Sequence, residues 1–211
     1  NLQVVKTNTS KVVIENYSII HKEFLKRKNH QDKIILFLGF ITELKGVFDI
    51  PDIAKKIIER NRNVKFVLAG SGEIEKLQAI IEEKGVSRYF SFPGWVKKEK
   101  KEKLLQEADL FFLPSYTEGM PMSILEAMGY GLPIVATNVG GIPQLVENGK
   151  NGYMVEPGKI DDFAKVILEL IGNDELIYCM GKESVEKAYE KYSLEKHLEK
   201  VCKLYEKAMD E

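Results

Sequence analysis

Two glutamates, Glu118 and Glu126, stand eight positions apart around Gly119 and Pro121 in this chain of 211 residues. The apolar run Leu110–Leu113 precedes them and helix-forming residues follow, which predicts a loop for Glu118 and the first turns of a helix for Glu126. In an open α/β sheet such a loop lies outside the carboxyl ends of the strands, where ligands bind. The N–H groups of a helix N-terminus suit a phosphate, and carboxylates accept hydrogen bonds from sugar hydroxyls. The spacing therefore favours a site for phosphate and sugar groups.

Apolar runs of strand length alternate with helical patterns along the chain. The predicted strands are Ile34–Leu38, Val64–Ala69, Tyr89–Phe92, Leu110–Leu113, Ile134–Ala136 and Tyr153–Val155. Helical patterns lie between these runs, and three more follow the last run, at Asp161–Ile171, Glu175–Tyr189 and Leu194–Met209. This alternation predicts an α/β protein with a doubly wound, Rossmann-like parallel sheet that helices cover on both faces.

Composition excludes several classes of function. The 31 basic and 32 acidic residues give a net charge of -1, which provides no field to attract nucleic acid, so we expect no nucleic-acid partner. The two cysteines and three scattered histidines indicate neither a disulfide framework nor a zinc site. No apolar run approaches the ~18 residues of a membrane span and no secretory signal opens the chain, so we expect a cytoplasmic location.

A lysine-rich segment, 97–103, contains five lysines and two glutamates. Such a segment is compatible with peripheral contact at an anionic membrane surface. A solvated helix face is the favoured alternative, because the intervening glutamates reduce the positive field.

Several motifs, taken in register, resemble the C-terminal, donor-binding half of family-four retaining glycosyltransferases with the GT-B fold. They are Leu36–Gly39 with Lys45-Gly46, Ala69–Gly72, Pro93–Val96, Leu113–Ser115, the Glu118 and Glu126 pair, Gly131–Thr137, Gly140–Pro143 and Asn151-Gly152. Each motif alone is weak, but their combination is specific.

The resemblance implies a role for each matching position. Glu118 would face the donor sugar and act in catalysis with Lys45, which would neutralise phosphate charge, and Glu126 would bond the ribose hydroxyls of the nucleotide. The backbone N–H groups of Ser123 and Ile124 would approach the diphosphate, and the Gly94–Val96 loop would border the base. The implied donor-binding positions besides Glu126 are Gly39, Gly94, Trp95, Val96, Gly119, Met120, Pro121, Ser123 and Ile124.

The same resemblance implies the reaction and the partners. The donor would be a nucleoside diphosphate sugar, with a UDP-linked one favoured, and the acceptor a glycan or a lipid-linked glycan. Because the chain contains no Asp-x-Asp, we expect chemistry without a metal and without another cofactor. Residues 1–30 would connect to a preceding acceptor-binding domain, 31–190 would bind the nucleotide sugar, and 191–211 would form a helix that docks on the preceding domain.

One residue departs from the family pattern. Phe40 follows Gly39, where the family commonly has an arginine. A charge-assisted hydrogen bond contributes about 1.5–3 kcal/mol, so its loss would weaken diphosphate binding roughly ten- to a hundred-fold unless another cation substitutes. This departure keeps open one alternative, a non-catalytic sugar-binding or scaffold module. A nucleotide-sugar epimerase of the same fold is a second alternative.

Overall fold

The computed structural model describes residues 16–20 and 31–210, and the segments at 12–14 and 22–28 that suggested a strand and a basic helix lie outside these ranges. Within the described ranges, one sheet contains the strands β1 (Lys33–Leu38), β2 (Val64–Ala69), β3 (Phe90–Ser91), β4 (Leu110–Leu113), β5 (Ile134–Thr137) and β6 (Gly152–Val155). The helices are α1 (Ile50–Ile58), α2 (Ile74–Glu83), α3 (Glu99–Glu107), α4 (Met122–Gly129), α5 (Ile142–Leu145), α6 (Ile160–Ile171), α7 (Asp174–Tyr192) and α8 (Leu194–Asp210).

All neighbouring strands are parallel, and their order across the sheet is β3-β2-β1-β4-β5-β6. The order reverses between β1 and β4, so the loops that follow these two strands leave the same edge of the sheet in divergent directions. The predicted doubly wound parallel sheet is therefore confirmed, and its topological switch point lies between β1 and β4.

The edge strand β3 is shorter than the predicted Tyr89–Phe92. Ser87–Tyr89 forms a 3-10 turn, and only Phe90 and Ser91 pair with the neighbouring strand β2. The apolar run was thus correctly located, but the turn occupies its first residue.

The central strands are buried on both faces, as their continuous apolar sequences require. Leu36 in β1 and Phe111 in β4 are fully buried. One apolar stripe of α1, represented by Ile53 and Ile57, is buried as well, and full burial of such a side chain contributes about 1.5–3 kcal/mol. This packing fixes the central strands, and so fixes where their carboxyl ends emerge.

The segment 16–20 crosses the outside of this core between α4 and α7. The Ser18 N–H donates to the Tyr192 carbonyl at 2.7 Å, and a side chain on Gly129 would collide with the Ile19 carbonyl. The terminal helix α8 exposes Leu198, Tyr205 and Met209. No helix in the described part of the chain is both long and apolar enough to cross a membrane.

The loops after β1 and β4 touch backbone to backbone at the switch point. Gly46 has a φ of 67°, and a Cβ there would lie 2.0 Å from the Pro114 carbonyl oxygen. The Tyr116 N–H donates to the Leu44 carbonyl at 2.9 Å. Only glycine combines this left-handed conformation with so close an approach.

Gly46→Ala and Gly85→Ala separate these two requirements. Both glycines have left-handed φ values, but nothing lies within 4 Å of a Cβ on Gly85. The conformation alone costs about 1–2 kcal/mol, and overpacking adds about 1–3 kcal/mol. We therefore expect Gly46→Ala to lower the free energy of unfolding by about 1–3 kcal/mol more than Gly85→Ala in urea titrations. Equal losses would show that the loops after β1 and β4 can move apart without a loss of stability.

Candidate functional site

An ion pair joins the two loops at the switch point. Lys45 ends a 3-10 turn after β1, and Glu118 lies between β4 and α4. The Lys45 Nζ lies 2.5 Å from Glu118 Oε1. The structure therefore brings together the two residues for which the sequence predicted catalytic roles, although 73 positions separate them.

The Glu118 carboxylate is held by a small network. Its Oε1 also accepts a hydrogen bond from the Ser115 hydroxyl at 2.8 Å, and the Ser115 carbonyl accepts one from the Thr137 hydroxyl at 2.6 Å. Ser115 and Thr137 are fully buried, and the Glu118 side chain is only 6% exposed. In the described structure Oε2 of Glu118 has no hydrogen-bond partner, so this oxygen is available to a ligand.

The loop after β5 confines the Glu118 loop from the opposite side. The Gly141 N–H donates to the Gly119 carbonyl at 2.6 Å. A Cβ on Gly140, whose φ is 55°, would lie 1.8 Å from the Glu118 carbonyl oxygen. The predicted positions Glu118 and Gly119 are thus fixed by backbone contacts as well as by side chains.

The N-terminus of α4 is open. Pro121 is its N-cap and provides no side-chain hydrogen bond. The backbone N–H groups of Met122 and Ser123 donate to no acceptor within the described ranges, whereas the Ile124 N–H donates to the Pro121 carbonyl at 3.2 Å. The Met120 carbonyl accepts from the Asn16 side chain at 3.3 Å. Free N–H groups with the positive end of the helix dipole form a suitable place for an anion.

Glu126, in the second turn of α4, is also ion-paired. Its Oε1 lies 2.6 Å from the Lys101 Nζ of α3, and both side chains are about one-third exposed, at 30% and 32%. Sequence reasoning did not select Lys101, which belongs to the lysine-rich segment 97–103. One signal was available, because Lys101 stands four residues before the buried Leu105 and therefore on the inner face of α3.

Phe40 and Trp95 form an aromatic pair at the same edge of the sheet. Their ring centroids are 5.6 Å apart and the rings are tilted by 33°. Both side chains are more than half exposed, at 55% and 56%. Gly94 has a φ of 74° in the turn before Trp95, while Val96 packs against the core. The position where the family commonly has an arginine thus contributes to an aromatic surface.

Gly39, a predicted donor-binding position, and the neighbouring Tyr116 lie in the loops after β1 and β4. Gly39 donates its N–H to the Ala69 carbonyl at 3.1 Å, and a Cβ on Gly70 would lie 1.7 Å from the Gly39 carbonyl oxygen. The Tyr116 hydroxyl donates to Asp49 at 2.8 Å. This hydrogen bond, with burial and nearby negative charge, raises the pKa of Tyr116 to about 12. No sequence pattern indicated the pairing of Tyr116 with Asp49.

Titratable groups of other kinds lie elsewhere. His197 lies on α8, where its ring contacts Tyr17 with centroids 4.9 Å apart. Among the residues that the structure describes, no three His, Cys, Asp or Glu side chains are grouped so as to hold a metal ion.

The groups at the switch point suit two kinds of ligand atom. Lysine and backbone N–H groups can bind phosphate, and carboxylate oxygens can bind hydroxyls.

Doubly wound sheets bind their ligands at the switch point, and the loops that carry the ion pair follow the two strands there, so this edge of the α/β domain is the candidate ligand site. Residues 19–187 match the model of the family described as glycosyl transferases group 1. The chain therefore belongs to that family, and the resemblance drawn from its motifs is confirmed.

Named relatives are similar to this chain over most of its length. The D-inositol 3-phosphate glycosyltransferase of Corynebacterium jeikeium is 32% identical over 182 residues, which cover 82% of this chain and 43% of the relative. The poly(ribitol-phosphate) alpha-N-acetylglucosaminyltransferase of Staphylococcus aureus is 30% identical over 194 residues, which cover 91% of this chain and 38% of the relative. The chain thus spans less than half the length of these relatives.

Solved structures share the fold. A point mutant of TarM from S. aureus, in complex with Fondaparinux, alpha-GlcNAc-glycerol and UDP, superposes with a TM-score of 0.81 and 30% identity over 92% of this chain and 39% of that protein. The C-terminal domain of the group 1 glycosyl transferase LpcC from Francisella tularensis gives a TM-score of 0.71 at 19% identity, over 82% of this chain and 97% of that domain. The second likeness concerns the fold alone.

Replacing Lys45 tests the ion pair at the switch point. Lys45→Met leaves the buried Glu118 carboxylate without its cation, and an unsatisfied buried polar group costs about 1–3 kcal/mol. We expect this loss in the free energy of unfolding, measured by urea titration. Lys103→Met is the matched control, because Lys103 is 73% exposed and 3.9 Å from Glu107. We expect the free energy of unfolding of the control to stay within about 0.5 kcal/mol of the parent. Equal losses in the two variants would show that the Lys45–Glu118 pair does not stabilise the fold.

Proposed function

We propose that this chain is the donor-binding domain of a retaining glycosyltransferase that uses a nucleoside diphosphate sugar, with a UDP-sugar as the favoured donor. The Lys45–Glu118 pair carries the proposal, because it places a cation and a carboxylate side by side at the switch point. The open N-terminus of α4 lies directly after it in the chain. These groups suit the two halves of such a donor, a diphosphate and a hydroxyl-bearing sugar.

Each part of the donor then has a partner. The diphosphate accepts hydrogen bonds from the N–H groups of Met122 and Ser123 and from the remaining donors of Lys45. Sugar hydroxyls bond Oε2 of Glu118, and ribose hydroxyls bond Oε2 of Glu126, because neither oxygen has a partner in the described structure. The base lies beside the Gly94–Val96 loop. The presence of UDP with the TarM mutant, 30% identical to this chain, supports UDP as the nucleotide.

The reaction needs only these groups and the acceptor. The bond between the sugar C1 and the diphosphate oxygen breaks, and the diphosphate leaves with the electron pair. Lys45 and the α4 N-terminus stabilise this negative charge, so we propose a reaction without a metal. The acceptor hydroxyl oxygen bonds C1 from the same face of the sugar, and its proton passes to the departing diphosphate. The configuration at C1 is thereby retained.

Acceptor binding is assigned to another domain. We propose that residues 1–30 connect to this other domain, that 31–190 form the nucleotide-sugar domain, and that the C-terminal segment 191–211, which contains α8, docks on the other domain. The exposed apolar residues of α8, among them Leu198 and Tyr205, support this docking. The acceptor would be a glycan or a lipid-linked glycan, reached from the cytoplasm, and the exposed lysines of α3 would favour an anionic membrane surface.

Calorimetry with UDP tests the proposal. We expect the parent chain to bind UDP and Glu126→Gln to bind it roughly ten-fold more weakly, because a charge-assisted hydrogen bond contributes about 1.5–3 kcal/mol. Glu107→Gln is the matched control. The Glu107 side chain is 34% exposed, close to the 30% of Glu126, but it pairs with Lys103 on its own helix. Failure of the parent to bind UDP, or equal binding by the parent and Glu126→Gln, would count against the proposal.

Phe40 favours a second candidate, a sugar-binding or scaffold module without turnover, because this position lacks the family's usual cation. Activity of the full-length protein separates the candidates. Transfer of sugar to an acceptor supports the glycosyltransferase, and formation of an epimer from the donor alone supports an epimerase. Binding of an oligosaccharide without transfer or hydrolysis of any donor supports the scaffold.

Phe40→Arg tests whether the diphosphate site lacks a cation. An arginine just after β1 would add a charge-assisted bond to phosphate, so we expect UDP affinity to rise roughly ten- to a hundred-fold. Affinity for uridine, which has no phosphate, should stay unchanged. Phe40→Leu controls for loss of the aromatic contact with Trp95. An unchanged UDP affinity in Phe40→Arg would show that the phosphate does not lie near this position.

A further inference from the structure

One lysine of the segment 97–103 differs from the others. Lys101 is 32% exposed and contacts Glu126 of α4, whereas Lys103 is 73% exposed and Lys97, Lys98 and Lys100 are exposed as well. The charge of Lys101 is thus directed to one carboxylate rather than to solvent or to a membrane. A lysine-rich helix face that only contacts solvent or a membrane surface would not need such a contact.

The contact is not needed to attach α3 to the domain. Leu105, which is almost completely buried, anchors this helix, and Leu104 packs beside it on the core. On the other side of the pair, Leu125 and Met128 of α4 are fully buried. An ion pair as exposed as Lys101–Glu126 adds little to folding stability. The main effect of this ion pair is therefore to orient the Glu126 carboxylate, and its contribution to the stability of the fold is small.

The geometric effect is to fix one oxygen of Glu126 and leave the other available. Lys101 holds Oε1 at 2.6 Å, while Oε2 has no partner among the residues described. Glu118 has the same arrangement, with Lys45 and Ser115 on Oε1. In both cases a lysine fixes the rotation of a carboxylate whose second oxygen can accept a hydroxyl. A fixed acceptor loses less entropy when a ligand binds than a freely rotating one.

We propose that Lys101 is a positioning residue for ribose recognition, which orients Glu126 so that its second oxygen selects a nucleotide with ribose hydroxyls. The inference rests on the proposed function, since it assumes that the ligand is a nucleotide. Four other lysines lie in the segment 97–103, so composition alone does not distinguish Lys101 from them. Lys101 acts through Glu126 and does not itself touch the ribose.

The test compares UDP with 2′,3′-dideoxy-UDP, which lacks both ribose hydroxyls, by calorimetry on the whole 211-residue chain. We expect Lys101→Met to bind UDP about five-fold more weakly and to bind the dideoxy analogue within about two-fold of the parent. In the background of Glu126→Gln, the same change should have no further effect, because the two residues act as one unit. Lys101→Arg should restore UDP binding, and Lys103→Met should match the parent.

The outcomes separate the inference from the function. Equal weakening for UDP and the dideoxy analogue would show a general electrostatic or structural effect and overturn the positioning role. UDP binding that depends on Glu126 but not on Lys101 would overturn the inference and leave the proposed function intact. A parent chain that binds no UDP would overturn both.

Discussion

The close approach of two backbones at the switch point is the constraint on which the rest of the site depends. The loop after β1 and the loop after β4 diverge from neighbouring parallel strands, yet Gly46 lies against the Pro114 carbonyl without room for a side chain. This contact brings a lysine from one loop to a glutamate of the other. Without it, Lys45 of one loop would not reach Glu118 of the other.

Electrostatics at this edge rest on two ion pairs, Lys45–Glu118 and Lys101–Glu126. This pairing leaves one oxygen of Glu118 and one of Glu126 without a partner in the described structure. In the proposed function, phosphate is recognised by backbone N–H groups and lysine, and hydroxyls by carboxylate oxygens. The aromatic pair Phe40–Trp95 adds an apolar border to the same edge.

Sequence alone predicted most of the fold, because buried parallel strands are continuous apolar runs and helices lie between them. It located Glu118, Glu126 and Lys45 through their motifs, but not their ion pairs, since partners so distant in the chain meet only through the strand order. Lys101 was missed because its neighbours are also lysines and only helical spacing from Leu105 distinguishes it. The brevity of β3 was missed because Tyr89, the last residue of the 3-10 turn, is buried and extends the apolar run.

The glycines of the loop after β5 have a consequence for how such a domain diversifies. Gly140 and Gly141 press on the backbone of Glu118 and Gly119, while the loop after β1 presses from the other side. An insertion or a bulkier residue in any of the three loops would displace all of them. Under the proposed function, a change of sugar preference would therefore require an exchange of side chains around a constant backbone rather than loops of new length.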